Sequence, residues 1–385
     1  MTKSVLHLGT YLQGGAGLIL KDLAIHQQDN GLKVRVIVSR TCYPGYENYP
    51  EYLEDLKSKE IEVVLVDSLF KRSDGLNAQV VDFLKRQYGE DPPEIIHAHA
   101  SIPAKIGKEF NKQMGDVSIP VIQTMQGWGR NKTPEQEARD KEIMNQLDAI
   151  VAVSEASKNI LLEKGVRESL IQVIHNGVGE RGVRLPPNQN VLRRIEAFRM
   201  RYDVILGCVG SVCKRKNQVV LLNAVQVLSE KGTSIGLVLI GENDTRNSLN
   251  SEILESEMRE RVLLTGYTAN ARDLTKYFDL FCLPSLSEGL PLSILECFCD
   301  RVPVIASNIC SVKEVIQHGK TGHLFDPTNV EEIVDSIENY LAMSSREKNN
   351  LIDNAEKEYE QRFRLSLMLE RYKELYKEVT HNQTP

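Results

Sequence analysis

The constraint that dominates this sequence is a repeated alternation of a short apolar strand, a loop and a helix. Residues 5–9 form an apolar strand, residues 10–17 a loop holding Gly14, Gly15 and Gly17, and residues 18–30 a helical stretch that Gly31 ends before the strand at 34–39. Strands joined through a helix pair in parallel, because the helix carries the chain back to the same end of the sheet. Further strands follow at 61–66, 95–99, 119–124, 148–153 and 171–174, with helices at 77–87 and 155–164. From Gly179 to Asn188 the apolar period gives way to glycine, proline and charge, the composition of a linker. The alternation restarts at 204–210 and continues through 234–240, 261–264, 278–285 and 302–306. A chain of 385 residues exceeds one typical core and suits two α/β domains. Its tail, 358–379, is helical, with Leu365, Leu369, Tyr372, Leu375 and Tyr376 at helical spacing.

Composition narrows the function classes. The net charge of −6 provides no basic field for nucleic acid. No apolar run reaches bilayer length, and the N-terminus enters its first strand without the apolar core of a signal peptide. The seven cysteines are odd in number, and Cys208, Cys282, Cys297 and Cys299 lie in apolar segments, which suits reduced thiols and a cytoplasmic location. Gly15-Ala16-Gly17 has Leu20 where a dinucleotide fingerprint needs a small residue, and Gly319-Lys320-Thr321 has Glu314 where a P-loop needs its first glycine. His97 and His99 end a strand as His-x-His, readable as a metal pair, an acid/base or a packed pair. A metal site needs further His or Asp ligands at comparable strand ends; none stands out, so no metal is expected.

The chemistry concentrates in Ser287-Glu288-Gly289-Leu290-Pro291-Leu292-Ser293-Ile294-Leu295-Glu296. A buried strand ends in a tight loop and feeds a helix, with Pro291 suited to the first helical position, so free N–H groups at the helix mouth favour an anion. Glu288 and Glu296 do not belong to an anion cradle and suit hydroxyls of a sugar or ribose beside it. Lys214, Arg215 and Lys216 stand near the start of the helix that ends at Glu230, where cations oppose the macrodipole unless an anion is bound.

Pro-Ser-x-x-Glu-Gly-Leu-Pro-Leu-x-x-x-Glu resembles the signature of glycosyltransferase family 4, retaining enzymes of GT-B fold that use nucleotide sugars. His175-Asn176-Gly177-Val178 and the segments 311–316 and 319–325 are similar to other parts of the family pattern, so the resemblance covers nearly the whole chain. It implies two Rossmann-like domains facing across a cleft: an acceptor-side domain at 1–180, a linker at 181–200, a donor domain at 201–360 and a helix at 361–385 that returns to the first domain. By resemblance, Gly15 approaches the donor from the first domain, Gly210, Ser211 and Lys216 meet its diphosphate, and the backbone at Gly266 reads the base beside Tyr267. Glu288 orients the donor sugar, Glu296 binds the ribose, and the N–H groups around Gly289, Leu290 and Leu292 hold the diphosphate. His99, Gln126 and Trp128 fall on the acceptor side.

Two departures stand out. Gln126 replaces the family's histidine and exchanges no proton near neutral pH, and Ser211 replaces its phosphate-binding arginine. Trp128, the only tryptophan, suits either stacking on an acceptor ring or anchoring its loop. The expected activity is retaining transfer from a nucleotide sugar, by default a UDP-sugar, to a small-molecule, glycan or lipid-linked acceptor. No metal or other cofactor is expected, since the Asp-x-Asp of the other large transferase fold is missing. Lys105, Lys108 and Lys112 are placed to touch anionic headgroups, or form an ordinary solvated face. The rival readings are a catalytically silent homologue that binds nucleotide or a partner protein, a GT-B nucleotide-sugar epimerase, and a two-domain ligand-binding protein.

Overall fold

A computed structural model describes residues 3–43, 46–67, 69–115, 117–129, 132–180, 188–242 and 257–381. Asn243 and Asp244, in the loop that follows the strand at 234–240, and the linker residues 181–187 lie outside these. The chain divides into two compact units: Met1–Asn176 with Ser366–Pro385, and Gly177–Leu365.

In unit 1 the strands β1 (Ser4–Leu8), β2 (Lys33–Ser39), β3 (Glu62–Val66), β4 (Ile95–Ala98), β5 (Val121–Met125), β6 (Ala149–Ala152) and β7 (Ile171–Val173) form one parallel sheet in the order β3-β2-β1-β4-β5-β6-β7. Both faces are covered, so the strands are apolar almost throughout. Val34, Val36 and Val38 of β2 pack with Leu20 and Leu56 on one face, and Leu6, Leu8, Ile96 and Val121 pack with Ile106 and Phe110 on the other. The helix Pro134–Met144 begins where Thr133 and Gln136 close a capping box and Pro134 needs no N–H. The helix Leu365–His381 also belongs here, with Met368, Leu369, Tyr372, Leu375, Tyr376 and Val379 buried.

Unit 2 repeats the plan with β8 (Val204–Val209), β9 (Ile235–Ile240), β10 (Val262–Gly266), β11 (Leu280–Leu283), β12 (Val304–Ser307) and β13 (His323–Phe325), parallel in the order β10-β9-β8-β11-β12-β13. Residues 189–199, inside the stretch read as linker, form a helix capped by Asn188, with Val191, Ile195 and Phe198 turned inward. Their spacing makes one apolar stripe, a signal hidden by the polar residues around it.

In each sheet the strand order reverses beside one central strand. In unit 1 the reversal lies between β1 and β4, and in unit 2 between β8 and β11. Loops leaving such a pair part to opposite faces, and the crevice at their carboxyl ends is where open α/β sheets bind ligands.

Candidate active site

The unit 2 crevice gathers the residues that the sequence singles out. After β8 the chain passes Gly210 and Ser211 into a turn carrying Lys214, Arg215 and Lys216, and the helix itself begins only at Val219. The three cations therefore precede the first helical turn, a shift from the sequence reading. Gln218, 2 % exposed, pins this turn: its Nε2 donates to the Ser211 carbonyl at 3.0 Å, and its Oε1 accepts from the Cys213 N–H at 3.3 Å. A cavity of about 270 Å³ opens beside the turn, lined by Val212, Cys213, Lys214, Asn217, Gln218, Val219 and Leu286.

After β11 the loop through Pro284 reaches Glu288. Lys216 Nζ lies 2.7 Å from Glu288 Oε1, and Arg215 Nη1 lies 3.4 Å from Glu288 Oε2 and donates to the Ser287 carbonyl at 2.9 Å. The Glu288 side chain is only 9 % exposed. Burial alone would raise its pKa, but Lys216 and Arg215 outweigh that and hold the carboxyl below its ordinary range. Residues 72 apart in sequence thus form a buried, charge-compensated pair at the reversal point.

Backbone closeness shapes the floor. Gly210 lies under Lys216, whose Cε would be 3.4 Å from an added Cβ. Gly241, at the end of β9, has φ +152, and a Cβ there would meet the Gly210 carbonyl oxygen at 2.1 Å. No L side chain fits, so the β8 and β9 ends approach only because position 241 is glycine. Gly241 N–H donates to the Gly266 carbonyl at 3.0 Å, joining the β10 end to the same floor. Tyr267, next along, is 41 % exposed. Gly241 and Gln218 were not foreseen; a glycine directly after an apolar strand was the available signal for the first.

Leu292–Asp300 is the helix beyond Glu288, with Pro291 as its N-cap rather than its first helical residue. Leu290 is buried, Gly289 and Leu292 are half-buried, and Glu296, also half-buried, lies about one turn further along the helix. Burial works against the charge of Arg272, but Asp300 and Glu296 overcome it and raise the pKa. Arg272 grips Asp300 through Nε and Nη2 at 2.8 and 3.0 Å and donates from Nη1 to the Gly179 carbonyl at 2.8 Å.

The remaining candidates belong to unit 1. Gly15 is exposed in the first turn of the helix Gly14–Asp29. Gln126 exchanges hydrogen bonds with Asn176 at 2.8 and 3.4 Å. Trp128 is an anchor: its Nε1 donates to Glu137 at 3.0 Å, Lys132 Nζ sits 3.7 Å from the ring centroid, and the ring packs on the core. A face covered by Lys132 is not open for stacking. Lys105 and Lys108 also differ from a free cationic stripe, since Asp74 lies 2.7 Å from the first and Asp148 3.8 Å from the second.

The His-x-His pair has a third member that the sequence reading missed. His7 of β1 stands in register with His97 of β4, and the ring nitrogens of His7, His97 and His99 lie within 4.8 Å of one another. His7 was hidden because an isolated histidine in a buried strand announces no partner. These donors resemble a metal set by type, yet both nitrogens of His7 and both of His97 already have hydrogen-bond partners. Among the described residues, no helix is long and apolar enough to cross a membrane.

Known proteins share the architecture of this chain. Family profiles match in tandem, Glycosyltransferase Family 4 over residues 13–180 and Glycosyl transferases group 1 over residues 188–358. The N-acetyl-alpha-D-glucosaminyl L-malate synthase of Bacillus anthracis is 23 % identical over 95 % of this chain and 94 % of its own length. An uncharacterized glycosyltransferase of Haemophilus influenzae is 27 % identical over 52 % of this chain, and the match spans only 56 % of that relative. Anabaena HepE, solved with UDP-glucose, has a TM-score of 0.81 at 18 % identity over 97 % of this chain and 99 % of its own. Sucrose-phosphate synthase of Thermosynechococcus elongatus has a TM-score of 0.80 at 14 % identity over 99 % of this chain and all of its own. These structural likenesses identify the fold as GT-B, with two Rossmann-like domains. With the two profiles together matching most of residues 13–358 on that fold, the chain belongs to glycosyltransferase family 4 and is a glycosyltransferase.

Proposed function

We propose that this glycosyltransferase takes its sugar from a nucleotide donor, by default a UDP-sugar, and passes it with retention to a hydroxyl of a small-molecule, glycan or lipid-linked acceptor. The observation that carries the reading is the Lys216–Glu288 pair over the Gly210–Gly241 floor at the unit 2 reversal point. Breaking a glycosyl–phosphate bond builds negative charge on the diphosphate and positive charge on the sugar. Lys216 and the N–H groups near Gly289, Leu290 and Leu292 meet the first, within hydrogen-bond reach of backbone that tolerates close approach. Glu288, kept ionised by its neighbours, accepts from the sugar hydroxyls and faces the positive ring.

Donor binding divides the present ion pair. Lys216 turns to phosphate, and Glu288 exchanges an ammonium for hydroxyl donors, so neither buried charge is left without a partner. Arg215, already on the Ser287 carbonyl, is placed to supply the cation that Ser211 lacks. Glu296 takes the ribose, and the Gly266 backbone beside Tyr267 takes the base. The fixed cations make metal-independent transfer the reading here. The relatives' names support the donor class: one, in Escherichia coli, is a UDP-Gal:alpha-D-GlcNAc-diphosphoundecaprenol alpha-1,3-galactosyltransferase, 23 % identical over 75 % of this chain.

Calorimetric titration of UDP, GDP and ADP tests the proposal, followed by hydrolysis of the matching nucleotide sugars. Saturable binding of one nucleotide, with hydrolysis lost in Glu288→Ala, is the expected result. Failure of all three nucleotides to bind defeats it. Binding without turnover across a broad acceptor panel favours the silent-homologue reading, for which Gln126 is the observation.

A further inference from the structure

The nucleoside half of the proposed donor site is divided between two elements of unit 2. The base-reading backbone at Gly266 and Tyr267 closes β10 and leads into the 3₁₀ helix Ala271–Tyr277, whereas Glu296 rides on the helix Leu292–Asp300. One nucleoside meets both, so its fit depends on how the two are held. Arg272, in the first turn of the 3₁₀ helix, is a charged tie between them. Its side chain is 11 % exposed, and that of Asp300 is 13 % exposed. Nε and Nη2 donate to the two Asp300 carboxylate oxygens at 2.8 and 3.0 Å, and Nη1 donates to the Gly179 carbonyl at 2.8 Å. The Arg272 carbonyl accepts from Thr275 Oγ1 at 2.8 Å, and Leu274 and Thr275 are buried, so the guanidinium stands on a fixed base.

Local rules do not call for this pair. Asp300 is the last residue of its helix, where a carboxylate meets the negative end of the helix dipole. The two-pronged grip of Arg272 offsets that cost, in a geometry that a lysine does not reproduce. Glu296 lies one helical turn before Asp300 and so shares its side of the helix. The guanidinium that grips Asp300 therefore also faces Glu296, whose charge helps to stabilise it. The third anchor, Gly179, lies in the opening stretch of unit 2, which is itself pinned. There the Val178 N–H donates to the Phe363 carbonyl at 3.0 Å, and the Tyr359 hydroxyl donates to the Val178 carbonyl at 3.1 Å. A buried guanidinium bonded to two other segments holds its own 3₁₀ helix against both.

We propose that Arg272 is a positioning residue for the nucleoside of the donor: through Asp300 and Gly179 it sets the spacing between Glu296 and the backbone at Gly266 and Tyr267, and so tunes which nucleotide the site prefers. Placing the nucleoside on these two elements rests on the glycosyl-transfer reading; the clamp itself does not. The diphosphate is gathered elsewhere, at Lys216 and at the N–H groups near Gly289, Leu290 and Leu292, the opposite end of the helix from Asp300. Loosening the clamp therefore weakens the nucleoside contacts and spares the phosphate contacts.

The test uses the full chain, titrated by calorimetry with UDP, GDP and ADP, with inorganic pyrophosphate then displacing the bound nucleotide. Removing Arg272 alone strands the Asp300 charge, so the variant of choice combines Arg272→Met with Asp300→Leu and orphans neither charge. In it the dissociation constant of the nucleotide that the wild-type chain prefers is expected to rise about 10-fold at unchanged stoichiometry, with the preference over the other two narrowed. The dissociation constant of pyrophosphate is expected to stay within about 2-fold of wild type. Arg272→Lys keeps Asp300 paired and loses only the two-pronged grip. It is expected to show the same pattern at about 3-fold, and it decides the matter if the double variant does not fold. Unchanged nucleotide affinity overturns the proposal, including the case where only the stoichiometry falls, because the pair then holds the fold and not the nucleoside. Equal weakening of nucleotide and pyrophosphate overturns it too. If the wild-type chain binds none of the three nucleotides, the glycosyl-transfer reading fails and takes this proposal with it, whereas a negative result confined to the variants leaves that reading standing.

Discussion

At the scale of single residues, the Lys216–Glu288 pair yields the sharpest expectations. Lys216→Ala leaves Glu288 without its nearest cation and removes a charge-assisted bond to the donor phosphates, so UDP affinity is expected to fall about 10- to 100-fold. Glu288→Ala is expected to change UDP affinity only a few-fold and to slow donor turnover about 100-fold or more. Calorimetry and a donor-hydrolysis assay separate the two outcomes; equal losses of binding in both variants would contradict the division of roles. Both side chains were legible in sequence because each sits in a dense local pattern, one after a strand-end glycine and the other inside Glu-Gly-Leu-Pro. Their contact was not legible, since only the sheet order brings the β8 and β11 ends together. Trp128 makes the opposite point. Its ring chemistry was visible, but whether the face was open depended on Lys132, which the sequence could not place.

Elements carry their own predictions. Gly207 sits inside β8, where an added Cβ would fall 2.0 Å from the Phe278 ring. Gly207→Ala therefore forces an aromatic ring out of the core and is expected to cost about 2 kcal/mol or more, read as a lower urea midpoint with an unchanged slope. The histidines of β1 and β4 add a pH dependence. His7 has a folded pKa of about 4 against 6.5 when unfolded, so the unfolded chain binds the extra proton between those values. Stability is then expected to be flat above pH 6.5 and to fall as the pH drops toward 4, by roughly 3 kcal/mol from His7 alone. His97 and His99, also lowered, act in the same direction. Carboxylates such as Glu288 titrate mainly below this window. Denaturant midpoints at pH 7, 6 and 5 check the sign, and a midpoint that rises on acidification would sink the neutral-histidine account.

For the whole molecule, the C-terminal helix matters most. Leu365–His381 buries Met368, Leu369, Tyr372, Leu375, Tyr376 and Val379 in unit 1, far in sequence from the strands it covers. A chain ending at Arg364 is expected to lose amide-exchange protection in β1 and β4 while β8, β9 and β11 keep theirs. Protection unchanged in β1 and β4 would show the helix to be dispensable. The cysteines offer a second check: all are free, and Cys42 and Cys310 are exposed whereas Cys208, Cys282, Cys297 and Cys299 are buried. A thiol reagent is expected to modify the first pair quickly and the buried four only on unfolding.

The sequence by itself determined the parallel α/β character, the two-fold repetition of the alternation and the glutamate signature, because each is written in spacings of fewer than about twenty residues. A buried parallel strand reads as an apolar run wherever it lies, and a strand–loop–helix is local. Strand order is not local. The tertiary structure alone decided that β1 stands beside β4 and β8 beside β11, and so brought His7 to His99 and Lys216 to Glu288. It also decided that residues 189–199 are a helix and that Tyr376 reaches His97 across 279 positions. Such pairings depend on which apolar faces pack together, and many sequences with the same local pattern have that choice open.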